Sequence, residues 1–495
     1  MPYFNKIEWE FLKNSKEYDL SSNHYELNIS IPNCNKLKIK RDEQYNIIGL
    51  FSGECFNVDE VEFVRELFRS NSPPKFQVSS NSNILTFSCS SMIKLTFDVK
   101  KNYEFTFYIK NLNNQSHNFN KEEISWTSEW YVNGSSEKAF KRATEYIKKD
   151  FYVKNRLDLN SENFNYQNSS NFTDKISSIV RDYLFIEPTN CSSFIIGKVP
   201  ERFGPNWSNC IGIEYQKQFG FPSQNDMKKI HEILSFFFGR LLIKVGETSF
   251  DKNGWPLNEI SIEPNISPIT NLKIISGLND LCPIKYDLPL FNNCIEQDLK
   301  LLLDNYICMD ENFSNVFKLL FDSMLTSTDS AIVIIAGALD FLVDYWLSNK
   351  KTEFLSKEEY NNIVKAELKS INEKLDEYPQ LLNKINNAYK KSGTSRYDDF
   401  FEDIGIEVGK VEKKAMDYRN IIAHGHKMKP ETEIKLILLT YVYMTLLNRC
   451  ILKILGFTGN YNDLCFNENR NINLKIPEEK LKEIKNMANE YINEN

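Results

Sequence analysis

The sequence predicts an α+β multidomain fold: a β-rich, sandwich-like N-terminal region followed by a C-terminal all-α helical bundle. Before residue 110, large apolar residues alternate with smaller or polar ones, as in Ile84–Phe97 (ILTFSCSSMIKLTF) and Tyr103–Ile109 (YEFTFYI). That period of two belongs to half-buried strands. From Asn293 onward Gly and Pro become sparse and apolar residues recur at three and four, the helical period. At 495 residues the chain also exceeds what one core usually organises, at roughly 150 residues per domain.

Residues 1–155 read as a β-rich N-terminal subdomain, with turns at Ser70–Pro74 and Asn111–Ser116 and a short helix at Phe140–Tyr152. The polar stretch Asn160–Asn171 reads as a linker or exposed loop. Residues 156–290 read as a mixed α/β subdomain, with a helix at Asp226–Phe238 after Pro222-Ser223 and strands at Arg240–Val245 and Ile260–Ile262. Gly246-Glu247-Thr248 and Phe203-Gly204-Pro205 read as ordinary turns rather than phosphate-binding loops. Residues 291–495 read as the helical bundle. Its predicted helices are Ile295–Leu303, Asn312–Leu325, Ser330–Leu347, Lys357–Leu375, Tyr378–Lys391, Ile404–Ala423, Pro430–Leu455 and Pro477–Ile492. Pro430 and Pro477 fall where a first helical turn accepts proline. The helix from Pro430 is apolar nearly all round, which places it at the bundle centre or at a subunit interface.

Composition narrows the function classes. Hydrophobic residues at 41% and charged residues at 26% are ordinary for a soluble globular protein. A net charge of -7 counts against nonspecific gripping of long nucleic acid, so any RNA contact must rest on a local basic patch. The ten cysteines are scattered singly and only five histidines are present, so no metal site, no cofactor and no disulfide scaffold is expected. Free thiols fit a reducing cytosol, and the N-terminus MPYFNKIEWEFLKN lacks the basic start and apolar stretch of a secretory signal. Ser330–Leu347 carries Asp340 and Asp344, and Leu436–Leu447 is too short to span a bilayer. Both read as buried helices, with no membrane association and a cytoplasmic location.

The segment Met416–His426 (MDYRNIIAHGH) carries the one constellation with chemical promise. Arg419, Asn420 and His424 form R-N-x-x-x-H, with Gly425 following as a helix-ending residue. His424 therefore falls at the C-terminal tip of a helix, and Asn420 shares its face. Arg419 lies about 140° round from His424, so its long side chain must curl to meet it. Between Lys410 and Lys429 the sequence holds a local surplus of four positive charges, as polyanion binding requires. A purely structural reading stands beside this one. An arginine near a helix end can bond the last carbonyls, and a histidine there is favoured by the helix dipole. Asp340 reads as a polar or capping group, or as a supporter of the site from a neighbouring helix. His426 reads as a solvated loop residue.

Arg419-Asn420-Ile421-Ile422-Ala423-His424-Gly425 resembles the R-x4-6-H motif of HEPN domains, and Ala331–Trp346 resembles an earlier helix of their bundle. The layout, including HEILSFFFGRLLIKVGE at His231–Glu247, is similar to the ApeA-like branch, in which a large β-rich region precedes the HEPN bundle. The resemblance implies a metal-independent endoribonuclease acting in abortive anti-phage defence, with Arg419 and His424 catalytic and Asn420 supporting. It further implies RNA as substrate, host tRNA included, a phage-encoded trigger protein sensed by the N-terminal region, and a homodimer or higher oligomer. Two other readings remain: a noncatalytic module that binds a nucleotide, RNA or protein, and a carbohydrate- or protein-binding β region whose helices dimerise.

Overall fold

A computed structural model describes residues 12, 14–22, 24–29, 31–42, 45–54, 59, 62–63, 66–67, 74–97, 102–117, 119–132, 153–154, 178–179, 183–198, 211–263, 281–284, 294–348, 356–363, 367, 378–388, 393–423 and 430–494. The chain divides into two compact units. One comprises Met1–Cys282 with Tyr286–Cys308, the other Pro283–Lys285 with Met309–Asn495. The expected helix at Phe140–Tyr152, the linker at Asn160–Asn171, the turn at Ser70–Pro74 apart from Pro74 itself and the turn at Phe203–Pro205 lie outside the described residues.

The first unit is built on an antiparallel sheet. Its strands are β1 (Lys16–Asp19), β2 (Glu26–Leu27), β3 (Cys34–Arg41), β4 (Ile47–Glu54), β5 (Lys75–Ser79), β6 (Asn83–Phe97), β7 (Asn102–Ser116) and β8 (Trp126–Val132). The two-residue strands β9 (Val153–Lys154) and β10 (Ser178–Ile179) pair separately. The main sheet resumes with β11 (Tyr183–Ile186), β12 (Phe194–Lys198), β13 (Ile211–Gln216), β14 (Ile243–Phe250) and β15 (Pro256–Ile262). The strand order is β1-β3-β4-β7-β15-β14-β8-β13-β12-β11, with β6, β5 and β2 extending from the other edge of β7. The sheet therefore runs across the expected border at residue 155 without a break: β8 pairs with both β13 and β14.

Strand β7 organises this arrangement. Along one edge Asn102–Ile109 pair with β4 and Asn111–Gln115 pair with β15, while the other edge pairs with β6 over nearly its whole length. Asn111–Ser116, expected as a turn, is thus strand; Leu112 is buried in the core and Asn114 donates to Glu259 at 2.6 Å. Strands β4 and β5 lie three strand spacings apart, about 14 Å in a flat sheet. Yet the rings of Phe51 and Phe76 have centroids 5.3 Å apart, so the sheet curls its apolar face onto itself. This curl supplies the sandwich-like core from one sheet. Phe107 lies at its centre, against Phe51, Phe76, Phe87 and Phe105. Its ring covers Gly49, where a Cβ would come within 2.3 Å of it.

A buried polar row crosses the other half of the sheet. Glu214, Ser128, Thr248, Glu259 and Asn114 are successive cross-strand neighbours on β13, β8, β14, β15 and β7, and all are buried. Gly246–Thr248 is therefore strand rather than turn, next to an irregularity in register between Lys244 and Gly246. Glu214 accepts from the Gln216 side chain at 2.8 Å, and its other carboxylate oxygen has no partner among the described residues. Burial pushes its pKa well above the ordinary 4.5, with the Gln216 bond working against that rise.

Two helices complete this unit. Helix α1 (Gln224–Phe237) opens on a capping box between Ser223 and Asp226, matching the helix expected at Asp226–Phe238. Helix α2 (Cys294–Ile307) belongs here as well. Its Glu296 accepts from the Phe185 backbone at 2.7 Å, its Asp304 accepts from the Thr189 hydroxyl at 2.9 Å, and its Tyr306 hydroxyl donates to Glu232. These bonds to a strand, a loop and α1 place the unit border at residue 309 rather than 291.

The second unit contains α3 (Ser314–Leu325), α4 (Thr328–Leu347), α5 (Pro379–Asn386), α6 (Gly393–Ile404), α7 (Lys410–Ala423) and α8 (Pro430–Ile454). A hairpin, β16 (Asn460–Asp463) with β17 (Glu468–Asn471), and α9 (Lys480–Glu494) follow. The hairpin corrects the all-α expectation. Of the helix expected at Lys357–Leu375, residues 357–363 are described as helical, opened by reciprocal Ser356–Glu359 bonds. The helix expected at Ile404–Ala423 is broken at Gly405, whose φ of 69° is a left-handed conformation that glycine adopts without strain.

Helices α4 and α8 are long and apolar enough to cross a membrane by length and composition. Their packing accounts for that character: α8 contacts α4, α6, α7, α9 and β16, and Leu439, Val442, Leu446, Leu447, Ile451 and Leu455 are buried. It is the central helix of the unit. Arg449 interrupts its apolar surface, fully buried, with Nη1 3.0 Å from the equally buried Glu412 of α7. The guanidinium also donates to the carbonyls of Ile472 and Glu407 and lies over the Tyr461 ring. Glu412 in turn accepts from the backbone of Gly409 and Ile476.

Removing one side of this pair leaves a buried charge uncompensated. Arg449→Met is expected to lower stability by about 3–5 kcal/mol, measured by urea unfolding followed through helical circular dichroism. Glu214 acts with the opposite pH sense to a salt-bridged carboxylate. Its raised pKa means the folded state holds a proton that the unfolded state releases. Its contribution is fully present below about pH 4.5 and is lost as pH rises toward the folded value. Glu214→Gln is therefore expected to raise stability at pH 7 relative to wild type but not at pH 4, read from paired urea titrations.

Candidate active site

Arg419 projects from α7 near its C-terminal end, and its Nη1 donates to Asp340 Oδ2 at 2.9 Å. Asp340 stands on α4, where the tertiary contact of α4 with α7 brings the two side chains together. The other carboxylate oxygen of Asp340 accepts a hydrogen bond from the Tyr397 hydroxyl of α6. Tyr443 of α8 closes the back of the site. It is buried, its hydroxyl has no hydrogen bond of ordinary geometry, and the Arg419 charge acts on it at close range. Four helices thus converge on one guanidinium. Asp340 lies within its helix and serves as an ion-pair partner, not a cap.

The guanidinium is accessible: the Arg419 and Asp340 side chains are 36% and 48% exposed. Burial alone would lower the pKa of Arg419, but Asp340, Tyr397 and Tyr443 more than reverse this, so the net shift is upward and the charge is permanent. Burial raises the pKa of Tyr397, assisted by its bond to Asp340. Burial also raises that of Tyr443, opposed by Arg419. Both phenols stay protonated near neutrality, so neither can serve there as a general base.

Asn420 continues α7, and His424 lies outside the described residues, as do Lys427 and Lys429. The lysines of the local basic surplus are partly committed: Lys410 pairs with Glu478 at 2.8 Å, Lys413 lies 3.7 Å from Asp398, and Lys414 lies over the Tyr418 ring. His231, in the other unit, is a structural residue. It is stacked on Tyr131 with Nε2 2.6 Å from the Leu242 carbonyl, and burial lowers its pKa.

Sequence reasoning missed Tyr397, whose helix α6 was not expected between Lys391 and Ile404, and Tyr443, which sits in a segment readable only as helix. The signal for Asp340 was present: two acids four residues apart, Asp340 and Asp344, in an otherwise apolar helix.

Residues 333–461 match the family model described as Apea-like HEPN, which supports an Apea-like HEPN domain in this part of the chain. No curated protein and no solved structure matches the chain. A match of this kind points to a nucleotide- or RNA-related function.

The Arg419–Asp340 pair is about half exposed, and such pairs contribute roughly 1 kcal/mol or less to stability. Asp340→Asn is accordingly expected to shift the thermal unfolding midpoint only slightly. A large drop would make the pair a structural strut.

Proposed function

We propose that this protein is a metal-independent endoribonuclease of the HEPN type, in which Arg419 and His424 act on one scissile phosphate and Asn420 supports them. The carrying observation is the half-exposed Arg419 guanidinium, oriented by Asp340 within the HEPN segment. In this reading the ribose 2′-OH attacks the adjacent phosphorus, the P–O5′ bond breaks, and the products are a 2′,3′-cyclic phosphate and a 5′-OH. His424 moves the proton, taking it from the 2′-OH or supplying it to the departing O5′. Arg419 offers a planar pair of donors to the phosphate oxygens, where charge accumulates in the transition state. The setting proposed for this activity is abortive anti-phage defence, with host RNA such as tRNA as target. In that setting the N-terminal region senses a phage-encoded trigger, and a homodimer places two motifs opposite each other.

One observation favours a second reading. Arg419 is already neutralised by Asp340, and the chain is acidic overall, as suits a noncatalytic nucleotide-, RNA- or protein-binding module.

A single assay separates the two. Purified full-length protein is incubated with RNA in EDTA, and cleavage is compared for wild type, Arg419→Ala and His424→Ala. Loss of the proton-transfer group is expected to slow cleavage by about 10²–10⁴-fold. Cleavage by His424→Ala at the wild-type rate sinks the nuclease mechanism, and RNA binding without cleavage by wild type favours the module.

A further inference from the structure

Asp340 has a counterpart one helical turn along α4. Asp344, four residues on, lies on the same face, roughly 6 Å away between Cβ atoms. Its carboxylate pairs with Nη2 of Arg396, contributed by α6. One face of α4 therefore presents two carboxylates, each holding an arginine from a different helix: Arg419 from α7 and Arg396 from α6.

The arginines of this unit divide cleanly. The sequence from residue 309 onward contains Arg396, Arg419, Arg449 and Arg470. Arg449 is consumed by Glu412 and backbone carbonyls, and Arg470, only 14% exposed, by Asp463 and Glu468 of the hairpin. Arg396 and Arg419 remain accessible, their side chains 32% and 36% exposed. Among the described residues, the only hydrogen-bond partner of the Arg396 guanidinium is Asp344, and its buried Nε–H has none. Asp344 is itself 62% exposed, so water screens the pair, which adds little stability and is readily opened or shared. An arginine fork matches phosphate oxygens better than a lysine point charge does.

We infer that Arg396 is a second phosphate-binding residue, taking the phosphodiester that neighbours the one at Arg419 along a single RNA strand, with Asp344 holding it oriented until RNA arrives. The inference rests on the proposed RNA-directed role of the Arg419 site. The turn-length spacing of the two carboxylates is comparable with the separation of successive phosphates on an extended strand. The strand would thus run along the α4 face, from α7 towards α6. Arg396 makes no covalent contribution; it supplies grip and register.

The test is binding of the full-length protein to a 2′-O-methyl oligoribonucleotide, which cannot be cleaved by 2′-OH attack, followed by fluorescence anisotropy across a salt series. Arg396→Gln is expected to weaken binding several-fold and to flatten the slope of log K against log salt by about 0.7, the share of one single-strand phosphate. Asp344→Asn is expected to move binding the other way, because it removes the competing carboxylate and keeps the guanidinium. An ion pair that merely braces the fold predicts no such opposition. Should Arg396→Gln not fold, Arg396→Lys carries the test with Asp344→Asn: the slope is retained and affinity falls. An unchanged slope in Arg396→Gln, or Asp344→Asn that binds no more tightly, overturns the second subsite while leaving cleavage by the Arg419 site intact. Cleavage of ordinary RNA, lost in His424→Ala, reports on that site independently. No RNA binding by wild type overturns both.

Discussion

The buried Arg449–Glu412 pair governs how the helical unit is assembled. Taking two charges out of water is costly, and apolar residues of similar size often stabilise a core as well or better. What the pair adds is direction. Glu412 and Arg419 are seven residues apart on α7, about two turns, and so share a face. Fixing Glu412 against Arg449 of α8 fixes the rotation of α7, and that rotation aims Arg419 at Asp340 and Tyr443. Because Arg449 also holds the carbonyls of Glu407 and Ile472, the loop before α7 and the segment after β17 join the same clamp. The accessible ion pair at the surface is oriented by the inaccessible one beneath it.

At the site, Asp340 has two effects of opposite sign. It lowers the free charge that an incoming phosphate meets, and it holds the guanidinium so that little side-chain freedom is lost on binding. A planar fork with five donors can keep one bond to a carboxylate and still present two to a phosphate. The tyrosines extend this logic. Tyr397 occupies the second oxygen of Asp340, which leaves the carboxylate no reason to rotate away, and Tyr443 backs the arginine with an uncharged phenol.

Periodicity made the helices of the second unit legible, α6 excepted, and Arg419 stood out because glycine and proline punctuation bracketed its segment. Reading failed where a polar residue had a tertiary partner that local sequence does not reveal. Asn111–Ser116 looks like a turn by composition, yet it is strand because Glu259, distant in sequence, satisfies Asn114 within the sheet. Gly246–Thr248 looks like a turn because of its glycine, but β8 and β15 claim both its edges. Helix α2 carries the same apolar period as the bundle helices, and only its acids, Glu296 and Asp304, record that its partners lie in the β-rich unit. Arg449 was hidden by the apolar run around it. The helix predicted from Ile404 overlooked Gly405, whose conformation ends α6, and α6 itself was not predicted.

The shared edge of β7 bears on how the chain can be divided. The strand is long enough to serve β4 with its first half and β15 with its second, although these partners lie on opposite sides of it in the sequence. A fragment ending shortly after Ser116 would carry the whole aromatic cluster but leave Asn111–Gln115 with bare amides and carbonyls along one side. Such an open border invites pairing with another molecule. Excision of a soluble N-terminal piece therefore has to reach at least Ile262, and the sheet must be handled as one inseparable object.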